Sequence, residues 1–129
     1  MFKFMKEALN LAKEAEKMGE VPVGAVIVKD GEIIGRGKNT RETENNPIGH
    51  AEINAILDAS KNLGSWRLDG CEMYVTLEPC AMCMGALINS RIKKITFGAF
   101  DLKAGACGSV VNLNNFAFNH HPELLGGIM

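Results

Sequence analysis

Apolar positions recur at helical spacing from the start of the chain. Met5, Ala8, Leu9, Ala12, Ala15 and Met18 share one side, with Lys6, Glu7, Lys13, Glu14 and Lys17 on the others. That period predicts an amphipathic helix over residues 2–18, ended by Gly19. Residues 21–28 are apolar almost throughout and rich in valine and isoleucine, as in a strand covered on both faces. Lys29-Asp30-Gly31-Glu32 reads as a hairpin turn, because Asp-Gly tolerates the positive φ angles a two-residue turn requires. Residues 32–38 return as a second strand. The polar stretch 39–49, broken by Pro47 and Gly49, is a loop that leads into a helix from His50 to about residue 60. After a connection over 62–70, the pattern predicts a strand at 72–77, a helix from Pro79 to about Asn89, a strand at 94–97 and a loop over 101–109. The order α-β-β-α-β-α-β predicts an α/β fold: a mixed sheet with helices packed against it.

Composition narrows the class. The chain has 129 residues, 47% hydrophobic and 22% charged, which predicts one compact domain over 1–129. No apolar run approaches the ~20 residues of a membrane span, and the charged start, Met1-Phe-Lys-Phe-Met-Lys-Glu7, is unlike a signal peptide. A cytoplasmic location is expected, where four cysteines suggest metal binding or catalysis before disulfides. A net charge of −1 gives no global attraction to nucleic acid, so any RNA contact must be local or completed by a partner.

The chemistry lies in His50-Ala-Glu52 and, downstream, Pro79-Cys80-Ala-Met-Cys83. One histidine and two cysteines are three zinc ligands. A structural zinc is closed by four, whereas a catalytic zinc keeps its fourth position for water. Glu52 is then free to move that water's protons. Helix positions two apart diverge by about 200°, so His50 and Glu52 can share a pocket only if His50 sits at or before the first helical residue. Cys80 and Cys83 are expected on one face of the first turn after Pro79, where the helix N-terminus favours thiolates. C-x-x-C alone also marks redox pairs, but a redox pair needs no distant His-x-Glu. Cys71 and Cys107 have no partner pattern and read as small apolar fillers. His120 and His121, beside Pro122, are given no metal role.

H-x-E…P-C-x-x-C is the signature of the zinc nucleobase deaminases, and here the chain resembles a family. It is similar to the cytidine deaminase-like superfamily (an α-β-α sandwich) and, within it, to the bacterial tRNA adenosine deaminases that convert wobble adenosine to inosine. The likeness runs through Pro22-Val-Gly-Ala-Val26, Gly37-Lys-Asn39, His50-Ala-Glu-Ile-Asn-Ala-Ile56, Tyr74-Val-Thr-Leu-Glu-Pro-Cys-Ala-Met-Cys-Met-Gly-Ala86, Ser90-Arg-Ile92, Phe97-Gly-Ala99 and Asp101-Leu-Lys-Ala-Gly-Ala-Cys-Gly-Ser109. The zinc motifs specify the superfamily, and the 101–109 stretch points to the tRNA enzymes. Two departures stand out. Asn46-Pro-Ile-Gly49 replaces the commoner Asp-Pro-Thr-Ala, and the chain ends before the basic C-terminal helix of those enzymes, so either the sequence is truncated or RNA is gripped differently.

The resemblance implies one zinc held by His50, Cys80 and Cys83, with Glu52 as proton carrier. It implies Asn39 and the backbone around Ala51 against the target base, and Asp101 and Lys103 near the flanking nucleotides. Asn39 reads nearly as well as a turn residue capping the second strand. Arg91, Lys93 and Lys94 are candidate phosphate contacts or simply a solvated strand end. The implied partners are a tRNA anticodon stem-loop and a second copy of the chain, with no membrane and no DNA. Two other readings stay open: a salvage deaminase of free guanine or cytosine using the same four residues, and a non-enzymatic zinc scaffold, which leaves Glu52 unexplained.

Overall fold

The computed structural model describes residues 2–128. Its elements are α1 (Phe2–Lys17), β1 (Gly24–Lys29), β2 (Glu32–Lys38), α2 (Ala51–Leu63), β3 (Glu72–Leu77), α3 (Ala81–Asn89), β4 (Lys94–Ala99) and β5 (Glu123–Leu125), with a 3-10 turn at Leu113–Asn115. The strands form one sheet in the order β2-β1-β3-β4-β5. β1 pairs antiparallel with β2 and β3, while β3, β4 and β5 run parallel.

The unbroken apolar run of β1 has a direct cause. Ala25 and Ile27 join the core beneath α2 and α3, and Val26 and Val28 join the one beneath α1. A sheet covered on both faces needs apolar residues at every position rather than at alternate ones. The fold is therefore the expected helix–sheet–helix sandwich. Asp30 and Gly31, at φ 51° and 79°, make the anticipated hairpin turn. Two glycines of β2 let α2 lie directly on the sheet: a Cβ on Gly37 would sit 2.1 Å from the Ala51 carbonyl oxygen, and one on Gly35 2.6 Å from that of Ala55.

Several boundaries differ from expectation. β1 begins at Gly24, because Pro22 offers no N–H and the Val23 amide donates to the Val21 carbonyl in a tight local turn. α2 continues to Leu63 and closes on Gly64, at φ 70°, whose amide donates to Ser60. α3 starts at Ala81 rather than Pro79, β4 extends to Ala99, and the three-residue β5 is an addition. Among the described residues no helix is long and apolar enough to cross a membrane.

Candidate active site

α2 and α3 begin beside one another at the ends of the loops that follow β2 and β3. His50 is the residue before α2, in extended conformation (φ −86°, ψ 152°), and Glu52 is in the first turn. That non-helical His50 is what lets both side chains reach one cavity. Cys80 plays the same part for α3. It is extended (φ −77°, ψ 177°) and pairs in an isolated bridge with Gly105, while Cys83 lies within the first turn. The two sulfurs therefore do not project from one helical face as the spacing suggested; Cys80 approaches from outside the helix.

His50 Nδ1 lies 3.6 Å from Cys80 Sγ and 3.5 Å from Cys83 Sγ, and all three atoms are within 4.8 Å of one another. Zinc bonds of about 2.05 Å to nitrogen and 2.3 Å to sulfur, at a tetrahedral angle, separate the donors by about 3.6 Å. The three donors thus fit a zinc ion, and no fourth histidine, cysteine or carboxylate is grouped with them among the described residues.

The cavity beside them holds about 160 Å³, and His50, Glu52, Cys80, Asn39 and Asp101 line it together with the apolar Val21, Val23 and Leu77. Pockets for drug-sized ligands run to roughly 300–1,000 Å³, so this smaller space suits one planar nucleobase-sized group. Glu52 is 4% exposed. Desolvation pushes its carboxyl up to about 7; the Glu52 backbone amide opposes that shift and negative charge on Cys80 adds to it. Cys80 is lowered to about 5, chiefly by a hydrogen bond from Cys83, with the amides of Cys83 and Met82 and the His50 ring assisting against burial. Cys83, the donor of that pair and more deeply buried, is raised.

Asn39 follows β2 and is 6% exposed; its amide donates to Val23 O at 3.2 Å, and its side chain faces the cavity. Ala51 is fully buried in the core and is not among the residues that line the cavity. Asp101 stands at the cavity wall, where its Oδ1 accepts from the amides of Lys103 (3.1 Å) and Ala104 (3.2 Å). The Lys103 side chain is exposed outside the cavity. Arg91, Lys93 and Lys94 are not brought to it: Lys94 opens β4 and the cavity lies past Ala99, about 17 Å along the strand. Cys71 and Cys107 are buried, with Cys107 Sγ 3.7 Å from Met84 Sδ. The rings of His120 and His121 bond the carbonyls of Ile92 and Phe116.

Three supporting residues were missed in the sequence. Asn54 donates to Lys38 O and Thr40 Oγ1, both at 2.9 Å, tying the loop after β2 to α2. Glu20 is buried and accepts from the Glu42 and Thr43 amides and the Thr43 hydroxyl, fixing the same loop. Glu78 is buried and holds the loop that carries Asp101. The available signal was a lone acidic residue inside an apolar stretch, for Glu20 before Val21-Pro-Val and for Glu78 after Tyr74-Val-Thr-Leu.

Residues 2–99 match the cytidine and deoxycytidylate deaminase zinc-binding region. The chain is 54% identical over 127 residues to the tRNA-specific adenosine deaminase of Bacillus subtilis (strain 168), covering 98% of this chain and 79% of that protein. A solved structure of a tRNA:A34 deaminase, from studies of A-to-I editing at the wobble position, superposes with a TM-score of 0.96 at 41% identity, covering 98% of this chain and 93% of that one. The guanine deaminase of Bacillus subtilis superposes with a TM-score of 0.74 at 35% identity, over 91% and 85% of the two chains.

Proposed function

From a chain that belongs to the cytidine and deoxycytidylate deaminase zinc-binding family, we infer a zinc-dependent hydrolytic deaminase that converts adenosine to inosine at the wobble position of a tRNA anticodon. The observation that carries the deaminase reading is the meeting of His50, Cys80 and Cys83 at zinc-ligand spacing beside a small cavity lined by buried Glu52; the 54% identity to a tRNA-specific adenosine deaminase supports the tRNA substrate.

Zinc held by His50, Cys80 and Cys83 would supply a Lewis acid able to lower the pKa of water from 15.7 to about 7. The remaining work falls to the chain. Glu52 takes a proton from the attacking water and passes it to the ring nitrogen beside the amine-bearing carbon, which makes that carbon electrophilic. It then carries the second water proton to the amine, which leaves as ammonia. One carboxyl can do both because it alternates between base and acid, and a pKa displaced toward neutrality by burial suits that double task. We assign to Asn39, which lines the cavity, a hydrogen bond to the edge of the base, and to Val21, Val23 and Leu77 an apolar slot for its faces. Asp101 at the cavity wall and exposed Lys103 on the same loop are our candidates for contact with nucleotides flanking the target.

A cavity this small accepts a base only after it has left its stack, and anticodon-loop bases are already partly splayed. We further assign one deaminase domain to residues 1–129, a cytoplasmic location, and pairing with a second copy of the chain. Exposed Leu57 and Trp66, 63% and 61% accessible beside Ile56 and Ala86, give that pairing an apolar face.

The rival is deamination of free guanine, for which the −1 net charge speaks. Weighing against it are the closer superposition on the tRNA deaminase and the anchored 101–109 loop. Ammonia release by zinc-loaded protein decides between them, comparing an adenosine-wobble stem-loop with free guanine, cytosine and adenosine. Turnover of the stem-loop alone is expected; turnover of a free base instead would overturn the RNA assignment.

A further inference from the structure

We propose that Glu78 is a positioning residue that holds loop 101–109 across the cavity wall and thereby sets affinity for the RNA flanking the target base. Glu78 is 2% exposed, and none of the ion pairs found among the described residues involves it. Its charge is met by four donors from one loop. Oε1 accepts from the Asp101 amide at 3.0 Å and from the Ser109 hydroxyl, and Oε2 accepts from the amides of Cys107 (3.0 Å) and Ser109 (3.1 Å). Both ends of the loop are thus fastened to one carboxylate.

The middle of the loop crosses over the same group. A Cβ on Gly105 would fall 2.3 Å from Glu78 Cδ, so an alanine there would have to displace the carboxylate. Gly105 in turn bridges Cys80, and the Ala106 amide donates to Pro79 O at 2.8 Å. The loop is therefore indexed to the strand end that carries a metal ligand. Asp101, which lines the cavity, has Oδ1 committed to the Lys103 and Ala104 amides.

Glu78 also lines the cavity, which raises the question of a second catalytic carboxylate. An ionised carboxylate has about four acceptor sites, and four donors already occupy them. No lone pair remains to take a substrate proton, so Glu78 acts through the loop and not on the base.

The inference rests on the RNA-editing reading, and the experiment separates the two. Steady-state kinetics on the anticodon stem-loop would be measured for wild type, Glu78→Gln, Ser109→Ala and Gly105→Ala, with zinc content determined for each. Glu78→Gln turns one acceptor into a donor facing N–H groups. We expect its KM to rise about tenfold with kcat within about threefold and zinc retained. Ser109→Ala, the milder variant if Glu78→Gln folds poorly, should raise KM about threefold and add nothing on top of Glu78→Gln. Unchanged KM in both, or a fall in kcat that tracks zinc loss, would overturn the positioning role. Should wild type not process the stem-loop, the editing reading fails first. Amide exchange at Asp101, Cys107 and Ser109, faster in Glu78→Gln if Glu78 holds the loop and equal if it does not, still decides this claim.

Discussion

Replacing Gly37 by alanine tests how α2 carries the site. The added Cβ would lie 2.1 Å from the Ala51 carbonyl oxygen and 2.4 Å from the Ala55 amide nitrogen, both backbone atoms that cannot rotate away. Reaching an ordinary 3.4 Å contact requires the start of α2 to move about 1.3 Å (3.4 less 2.1). Ala51 is bonded to His50, and metal–ligand distances tolerate only about 0.2 Å. Overpacking of this kind costs about 1–3 kcal/mol, and a backbone clash belongs at the upper end, roughly a 10 °C fall in Tm for a chain of this size. Thermal unfolding and chelator competition should therefore show lower stability and weaker zinc retention together. Gly85→Ala is the control. Nothing lies within 4 Å of that position inside α3, so the alanine should add about 0.5–1 kcal/mol and leave zinc untouched. Wild-type Tm and zinc retention in Gly37→Ala would refute the seating of α2 on β2 as the means by which His50 is placed.

Other consequences can be read independently. Glu20 is held below its ordinary 4.5, first by the Thr43 hydroxyl, then by the Thr43 and Glu42 amides, against the effect of burial. A depressed folded pKa contributes stability that is complete above 4.5 and disappears as pH falls through the lower folded value. Glu20→Gln should accordingly unfold at a lower temperature than wild type at neutral pH, with the gap closing in acid; a gap constant with pH would contradict the role of its charge. Cys83→Ala should lose its zinc while Asn39→Ala keeps it, measured by metal analysis of the purified proteins. Full zinc in Cys83→Ala would remove that residue from the ligand set. Salt should raise KM for the stem-loop, each phosphate contact adding about 0.7 to the logarithmic slope, and hardly affect a free base.

Local pattern revealed much of this molecule. β2, β3 and α1 follow directly from periodicity, and the ligand set from residue type and spacing. The geometric argument about His50 also held, because it followed from the angle between helical positions. Where the reading erred, longer-range contacts decide the outcome. Cys80 stays extended because Gly105 pairs with it, which no spacing within 79–89 could signal. The short β5 is defined by its parallel neighbour β4 rather than by its own residues. Glu20 and Glu78 escaped notice since a single acid between apolar residues gains meaning only when a distant loop folds onto it.

The central claim is that Glu52 moves protons in a hydrolytic deamination whose metal is held by three other residues. Single-turnover inosine formation at the wobble adenosine of a stem-loop, with zinc measured on the same preparations, tests it for wild type and Glu52→Ala. The account predicts full zinc in both proteins and a rate lower by at least about 10²–10⁴-fold in the variant. A Glu52→Ala protein that keeps its zinc and edits at the wild-type rate would contradict it.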